Sequence, residues 1–391
     1  MKSNTVDNVK QKRIKRILQV LVFILVCVGI VYAIGFLAGT YFKDYIKTHI
    51  ASSSKLLTMV RIYGLIIIFF FSFLIHIIIH ETGHLIFGLL TGYSFVSFRV
   101  GSHAFIKEDG KLRYKRFSLP GTGGQCLLMP PPQKSGTYPF VLYNLGGIIM
   151  NAMTVAAALF VVIFMNDVTY PIDTILFLFS LGGIYSIIIN GIPMKLSGIP
   201  NDAHNVLSIA RDMEARNAFH TQLTVNGLLS QGNRIKDFPL EMFKLRENSD
   251  LCNPLNTGTR LFEYYWYLDN MTLEMAKECI ETLTPYYSKL PQYYRQLINC
   301  ERIFLELVGN CDKSFIDSLY DDSLKKYIKV SKFMLGRYRL LMAYEGFYNG
   351  DREKALEHYE AAKQIAKKYP VKGDAEMELM LMDWIKERLK I

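Results

Sequence analysis

His80, Glu81 and His84 stand inside "FSFLIHIIIHETGHLIFGLL" (71–90), a stretch that is otherwise almost wholly apolar. Residues four apart on a helix share a face, so His80 and His84 can both reach one metal ion. Glu81 projects about 100° further round the helix and can approach a water that the ion activates. Zinc accepts imidazole nitrogen readily, and a catalytic zinc leaves one position open for water. The ion lowers the pKa of that water to about 7, and the glutamate takes its proton as attack on a carbonyl begins. Placing charge in hydrocarbon costs about 2.5–3.5 kcal/mol per residue on insertion scales, so ionisable groups in such a helix read as functional. His76, one turn earlier on the same face, reads as a hydrogen-bonded polar residue beside the site.

Two histidines need a third protein ligand. The candidates lie in "IINGIPMKLSGIPNDAHN" (188–205), where Asn190 and Pro193 mark the end of an apolar helix and Asp202 and His204 follow. Either side chain can complete the set. Asp202 is the first carboxylate after Asp173.

The elements that must position these residues are long and apolar. Charge is absent from Ile17 to Phe42, from Ile62 to His80, from Ser135 to Asn166 and from Thr174 to Met194, runs of 26, 19, 32 and 21 residues. About 20 apolar residues cross a bilayer. The predicted spans lie near 17–42, 58–92, 138–165 and 174–191, behind a basic leader at 1–16. The first run is too long for a signal-peptide core and reads as a retained helix.

The net charge of +10 is confined to one half. Residues 1–200 carry 18 Lys and Arg against 7 Asp and Glu, whereas residues 201–391 carry 27 against 28. That distribution reflects membrane orientation rather than nucleic-acid binding. It predicts that the N-terminus, the 93–137 segment and everything after about residue 195 are cytoplasmic. Six scattered cysteines without a CxxC pair fit a reducing compartment.

Between the second and third runs, β-branched and aromatic residues flank Glu108-Asp109-Gly110, a hairpin signal. "PGTGGQCLLMPPPQ" follows, too rich in Gly and Pro for regular helix and expected to form a loop beside the site. From 205 to 391 the sequence is polar and helix-forming. "FYNGDREKALEHYEAAKQIAKKYP" (347–370) resembles a tetratricopeptide repeat, with a turn at Gly350–Asp351 and Ala355, Tyr359 and Ala362 at packing positions. "YWYLDNMTLEMAKECIETL" (265–283) is a weaker copy, with Ala276 and Ile280 in equivalent places.

Taken together, HETGH, the Gly-rich "LGGIIMNA" with Gly146, Gly147 and Asn151, and Asn190-x-x-Pro193 preceding Asp202 resemble the site-2 protease family of intramembrane zinc metalloproteases. The resemblance covers about residues 58–210. It implies that His80, His84 and Asp202 bind Zn2+, that Glu81 is the general base, and that Asn190 holds substrate backbone or polarises the reacting carbonyl. Asp202 follows Pro193 by nine residues where the family motif has five, so "KLSGIP" must absorb four extra residues, and Ala203 stands where the family has glycine. The expected fold is mainly α: a polytopic bundle of about four transmembrane helices at 17–204 with a β-hairpin insertion at 93–137, then a cytoplasmic tetratricopeptide-like domain at 205–391. The implied activity is cleavage of a membrane-protein or membrane-peptide substrate within or beside a transmembrane segment. A cytoplasmic protein partner would engage 205–391. The alternative is a catalytically inactive membrane-anchored scaffold.

Overall fold

The computed structural model describes residues 54–391 apart from 109, 118–122, 135, 166–169 and 197–198. The leader at 1–16 and the span expected at 17–42 lie outside the described residues. The other three expected spans are helices: α1 (Lys55–Leu90), α2 (Phe140–Phe164) and α3 (Ile172–Gly191), each long and apolar enough to cross a membrane. Pro193 restricts the residue before it to extended backbone, and Ile192 accordingly has ψ 117° where α3 stops.

The inward face of α1 is polar and small, and its outward face is apolar. The buried positions of α1 are Ser72, His76, His80, Glu81, Gly83, His84 and Gly88, while Phe70, Phe71, Leu74 and Ile78 are exposed. Water would not tolerate such a surface, and lipid favours it. Small residues bring the backbones together. A Cβ on Gly83 would lie 2.2 Å from the Gly146 carbonyl oxygen, so α1 and α2 touch through glycine.

The segment after α1 holds a four-stranded antiparallel sheet where a single hairpin and an irregular loop were expected. Its strands are β1 (Ser94–Val100), β2 (His103–Glu108), β3 (Lys111–Arg116) and β4 (Gly124–Met129), ordered β3-β2-β1-β4. The expected turn joins β2 to β3, with Glu108 opposite Lys111 and Gly110 at φ 75°. A second hairpin turns at Gly101–Ser102. β4 comes from "GQCLLM": Cys126 and Leu128 point inward and bury a short alternating pattern that the flanking Gly and Pro conceal.

The rest of the chain is helical: α4 (Asp202–Arg211), α5 (Met213–Ser230), α6 (Pro254–Asp269), α7 (Leu273–Glu281), α8 (Gln292–Val308), α9 (Lys313–Leu319), α10 (Asp322–Val330), α11 (Leu335–Ala343), α12 (Arg352–Ala366) and α13 (Lys372–Leu389). Ile209, Ala215 and Ala218 share a core with Tyr93, Leu128 and Tyr143, so α4 and the start of α5 pack with the sheet and α2. The repeat-like positions behave as read: Ala276, Ile280, Ala355, Tyr359 and Ala362 are buried, and Asp351 caps α12 by accepting from the Lys354 N–H.

The helical core encloses a charged cluster. Arg339 donates to both oxygens of Glu301 (3.0 and 2.8 Å) and to Glu378 (2.7 Å), with its guanidinium 3.9 Å from the Phe304 ring centre. Tyr264 donates to Glu301 at 2.7 Å. Arg339→Met strands two buried carboxylates and is expected to destabilise this domain by about 3–5 kcal/mol. Denaturant unfolding of the micelle-bound protein checks this, and a change below about 1 kcal/mol would contradict it.

Candidate metal centre

The HETGH motif occupies the last turns of α1, where the helix passes between α2 and β4. His80 Nε2 lies 2.9 Å from Asp202 Oδ2 and 3.1 Å from His84 Nε2, and His84 Nε2 lies 3.4 Å from the same carboxylate oxygen. Three donors bound to one tetrahedral ion at 2.0–2.2 Å stand about 3.3 Å apart. The observed triangle fits that spacing. Two imidazole nitrogens and a carboxylate oxygen facing one another this closely need a cation or protons between them. Burial opposes charge on the Asp202 carboxyl, but His84 and His80 beside it hold it below the usual carboxylate range.

Neighbouring groups aim the ligands. His84 Nδ1 donates to the Tyr143 carbonyl at 2.7 Å, which leaves the Nε2 lone pair for a metal. The Asn151 side chain lies 3.5 Å from His80 Nδ1, 3.0 Å from His76 Nδ1 and 2.8 Å from the Ser186 hydroxyl, to which it donates. A Cβ at Gly147 would sit 2.5 Å from the His80 ring, so the glycine makes the slot that the imidazole fills. His76 is hydrogen-bonded at both nitrogens, the second to the Phe179 carbonyl at 3.0 Å, and stands apart from the triangle.

The start of α4 forms the third corner of the triangle. Asn201 caps that helix, accepting from the His204 N–H (3.0 Å) and the Met194 N–H (3.2 Å), and donates to the carbonyls of Ile189 (2.6 Å) and Ile192 (2.5 Å). The end of α3 and the start of α4 are thereby tied together. Between α3 and α4 lies a small antiparallel pairing, Lys195 with Pro200 and Leu196 with Ile199. Asp202 thus reaches the histidines, whereas among the described residues His204 is absent from the triangle and its buried Nδ1 has no hydrogen bond. Asn201→Ala removes the cap, worth about 1 kcal/mol, and the anchor of Asp202. The variant is expected to bind zinc about 10–100-fold more weakly, read by competition against a chromogenic chelator; unchanged affinity would show that Asp202 is placed without this tie.

A cavity of about 580 Å³ opens onto the triangle and is lined by Glu81, Asn190, Asn144 and the strand residues Gly123 to Leu127. Asn190 donates to the Ser186 carbonyl at 3.0 Å and borders the same space as Glu81. The stretch expected to be a loop is therefore a wall, the outer strand of the sheet. At Cys126 the N–H bonds to the Glu81 carboxylate and the carbonyl accepts from the Tyr143 hydroxyl at 2.9 Å. A Cβ on Gly124 would lie 2.6 Å from Glu81 Oε1, so that glycine admits the carboxylate. Tyr143, Asn201 and Gly124 were missed in the sequence. Asn201 directly before Asp202 carried an N-cap signal, but the other two carried none.

Comparison of the chain with family models, curated proteins and solved structures gives no match.

Proposed function

We propose that this protein is an intramembrane zinc metalloendopeptidase of the site-2 protease type. The observation that carries this reading is the convergence of His80 and His84, on a helix long and apolar enough to cross a bilayer, with Asp202 at the start of α4, on one point beside Glu81. The excess of Lys and Arg in residues 1–200 supports cytoplasmic placement of the N-terminus, the sheet and the helical domain. His84 lies six residues before the end of α1, about 9 Å along the axis, so the site would sit just inside the cytoplasmic face.

A membrane helix hides its carbonyls in its own hydrogen bonds, so a substrate must unwind before cleavage. β4 is a sheet edge beside the metal triangle and can receive the unwound chain by strand addition. As that chain seats, it exchanges with the two contacts at Cys126, and the Glu81 carboxylate is released from the Cys126 N–H. The Asn190 amide, which lines the same cavity, holds the substrate backbone. Zinc held by His80, His84 and Asp202 would supply Lewis-acid activation of water at neutral pH. Glu81 takes a proton from the attacking water and returns it to the leaving amide nitrogen, giving a new carboxyl and a new amine. The helical domain of 205–391 brings in a substrate or a cytoplasmic partner.

Zinc content of the purified protein and fragments of membrane proteins in its host membranes test this reading together. The expectation is one zinc per chain, and fragments that vanish on chelation and return with added Zn2+. Fragments produced equally by metal-free protein would sink the reading.

A further inference from the structure

A second cavity, of about 320 Å³, lies in the helical domain and shares no lining residue with the metal site. Its walls come from α5, α6, α8, α10, α11 and α13. Its volume falls within the range of small-molecule sites, about 300–1,000 Å³. Much of the lining is aromatic, with Tyr293 and Tyr327 set edge to face at 6.4 Å and Tyr369 nearby.

Three polar side chains on these walls have atoms with no hydrogen-bond partner among the described residues. Asp374, in the first turn of α13, accepts no hydrogen bond and makes no ion pair among the described residues. Burial, and then Glu378 and Asp269, pushes its carboxyl up to about 7. Glu378 is committed to Arg339, and Asp269 to Arg234. The Asn226 side-chain amide of α5 makes no hydrogen bond among the described residues, and Arg337 of α11, whose guanidinium lies 4.9 Å from the Tyr338 ring centre, has a buried Nε without one. An apolar cavity with a half-buried acid, an amide and a guanidinium N–H on its walls has the makeup of a small-molecule site.

We propose that this cavity binds a compact apolar ligand bearing an α-ammonium group and a carbonyl or carboxylate oxygen. Its ammonium would pair with Asp374, its oxygen with Arg337, and any adjacent peptide group with Asn226. Two sources carry this chemistry: a free apolar amino acid and the amino-terminal end of a peptide. Tyrosine faces favour the same cation. The ligand would restore the charge that burial suppresses on Asp374.

The test uses the full-length protein in detergent micelles and isothermal titration with phenylalanine, the tripeptide Phe-Leu-Ala, and the N-acetylated form of each. Saturable binding at one site per chain by at least one free-amine probe is expected, with acetylation weakening it at least about tenfold. Asp374→Asn and Arg337→Gln should each weaken it by a similar factor. Preference for phenylalanine identifies the free amino acid as the source, and preference for the tripeptide identifies the peptide end. At pH 8, Asp374→Asn should also melt at a higher temperature than unliganded wild type, because it removes a carboxylate that the fold disfavours. If Asp374→Asn does not fold, Arg337→Gln and the acetylated probes still decide. Absence of saturable binding, or binding indifferent to acetylation and to the substitutions that fold, overturns the proposal.

Discussion

Glu81→Gln should fold, keep its zinc and lose about 10²–10⁴-fold in cleavage rate, the usual contribution of a general base. Glutamine has the shape of glutamate, and its amide oxygen can still accept the Cys126 N–H that meets the carboxylate. The slot beside Gly124 therefore stays filled. The His80–His84–Asp202 triangle does not include the Glu81 side chain, so metal content should not change. What disappears is the ability to take a proton from water. The measurement compares membrane fractions holding equal amounts of wild-type and variant protein and times the appearance of membrane-protein fragments by mass spectrometry. Fragments that depend on Glu81 name the substrate as well as the reaction. Equal rates in the two membranes would remove Glu81 from the mechanism and favour the scaffold reading of this chain.

The parts of this architecture that could be read in advance are those whose causes are local. HETGH announces itself because three ionisable side chains in an apolar helix are costly wherever the helix packs. The helices α1, α2 and α3 follow from charge-free runs, and α12 from Ala355, Tyr359 and Ala362 at helical spacing after a Gly-Asp turn. β4 was hidden because its partner β1 lies some thirty residues earlier and its own six residues look like loop. Tyr143 was unreadable for a different reason. It serves the site through its backbone carbonyl, to His84, and through a hydroxyl bonded to the Cys126 carbonyl across the fold. No spacing rule reports a carbonyl. The third ligand was ambiguous between Asp202 and His204 because both follow the end of α3 closely. What favours Asp202 is tertiary: the four hydrogen bonds of Asn201 fix the direction in which α4 sets out.

That difference between Asp202 and His204 gives the second large expected effect. Asp202→Ala, like His80→Ala and His84→Ala, should reduce bound zinc from one per chain to nearly none at micromolar free metal, whereas His204→Ala should retain it. Each of the first three substitutions removes one of three donor atoms that stand 2.9–3.4 Å apart. The resulting loss should exceed the about 10–100-fold that follows from losing an orienting hydrogen bond. His204 contributes to the same turn only through its backbone N–H, which alanine preserves. Elemental analysis of the four variants, purified side by side, separates the cases. Zinc lost from His204→Ala and retained in Asp202→Ala would mean that the metal-bound site draws its third ligand from the imidazole. α4 would then have to rotate against the tie that Asn201 makes to α3. Asn201→Ala should in that event bind zinc more tightly than wild type, since releasing the tie would free His204 to turn inward. If Asp202 is the ligand, the same substitution weakens binding, so the sign of one measurement on Asn201→Ala distinguishes the two coordination schemes.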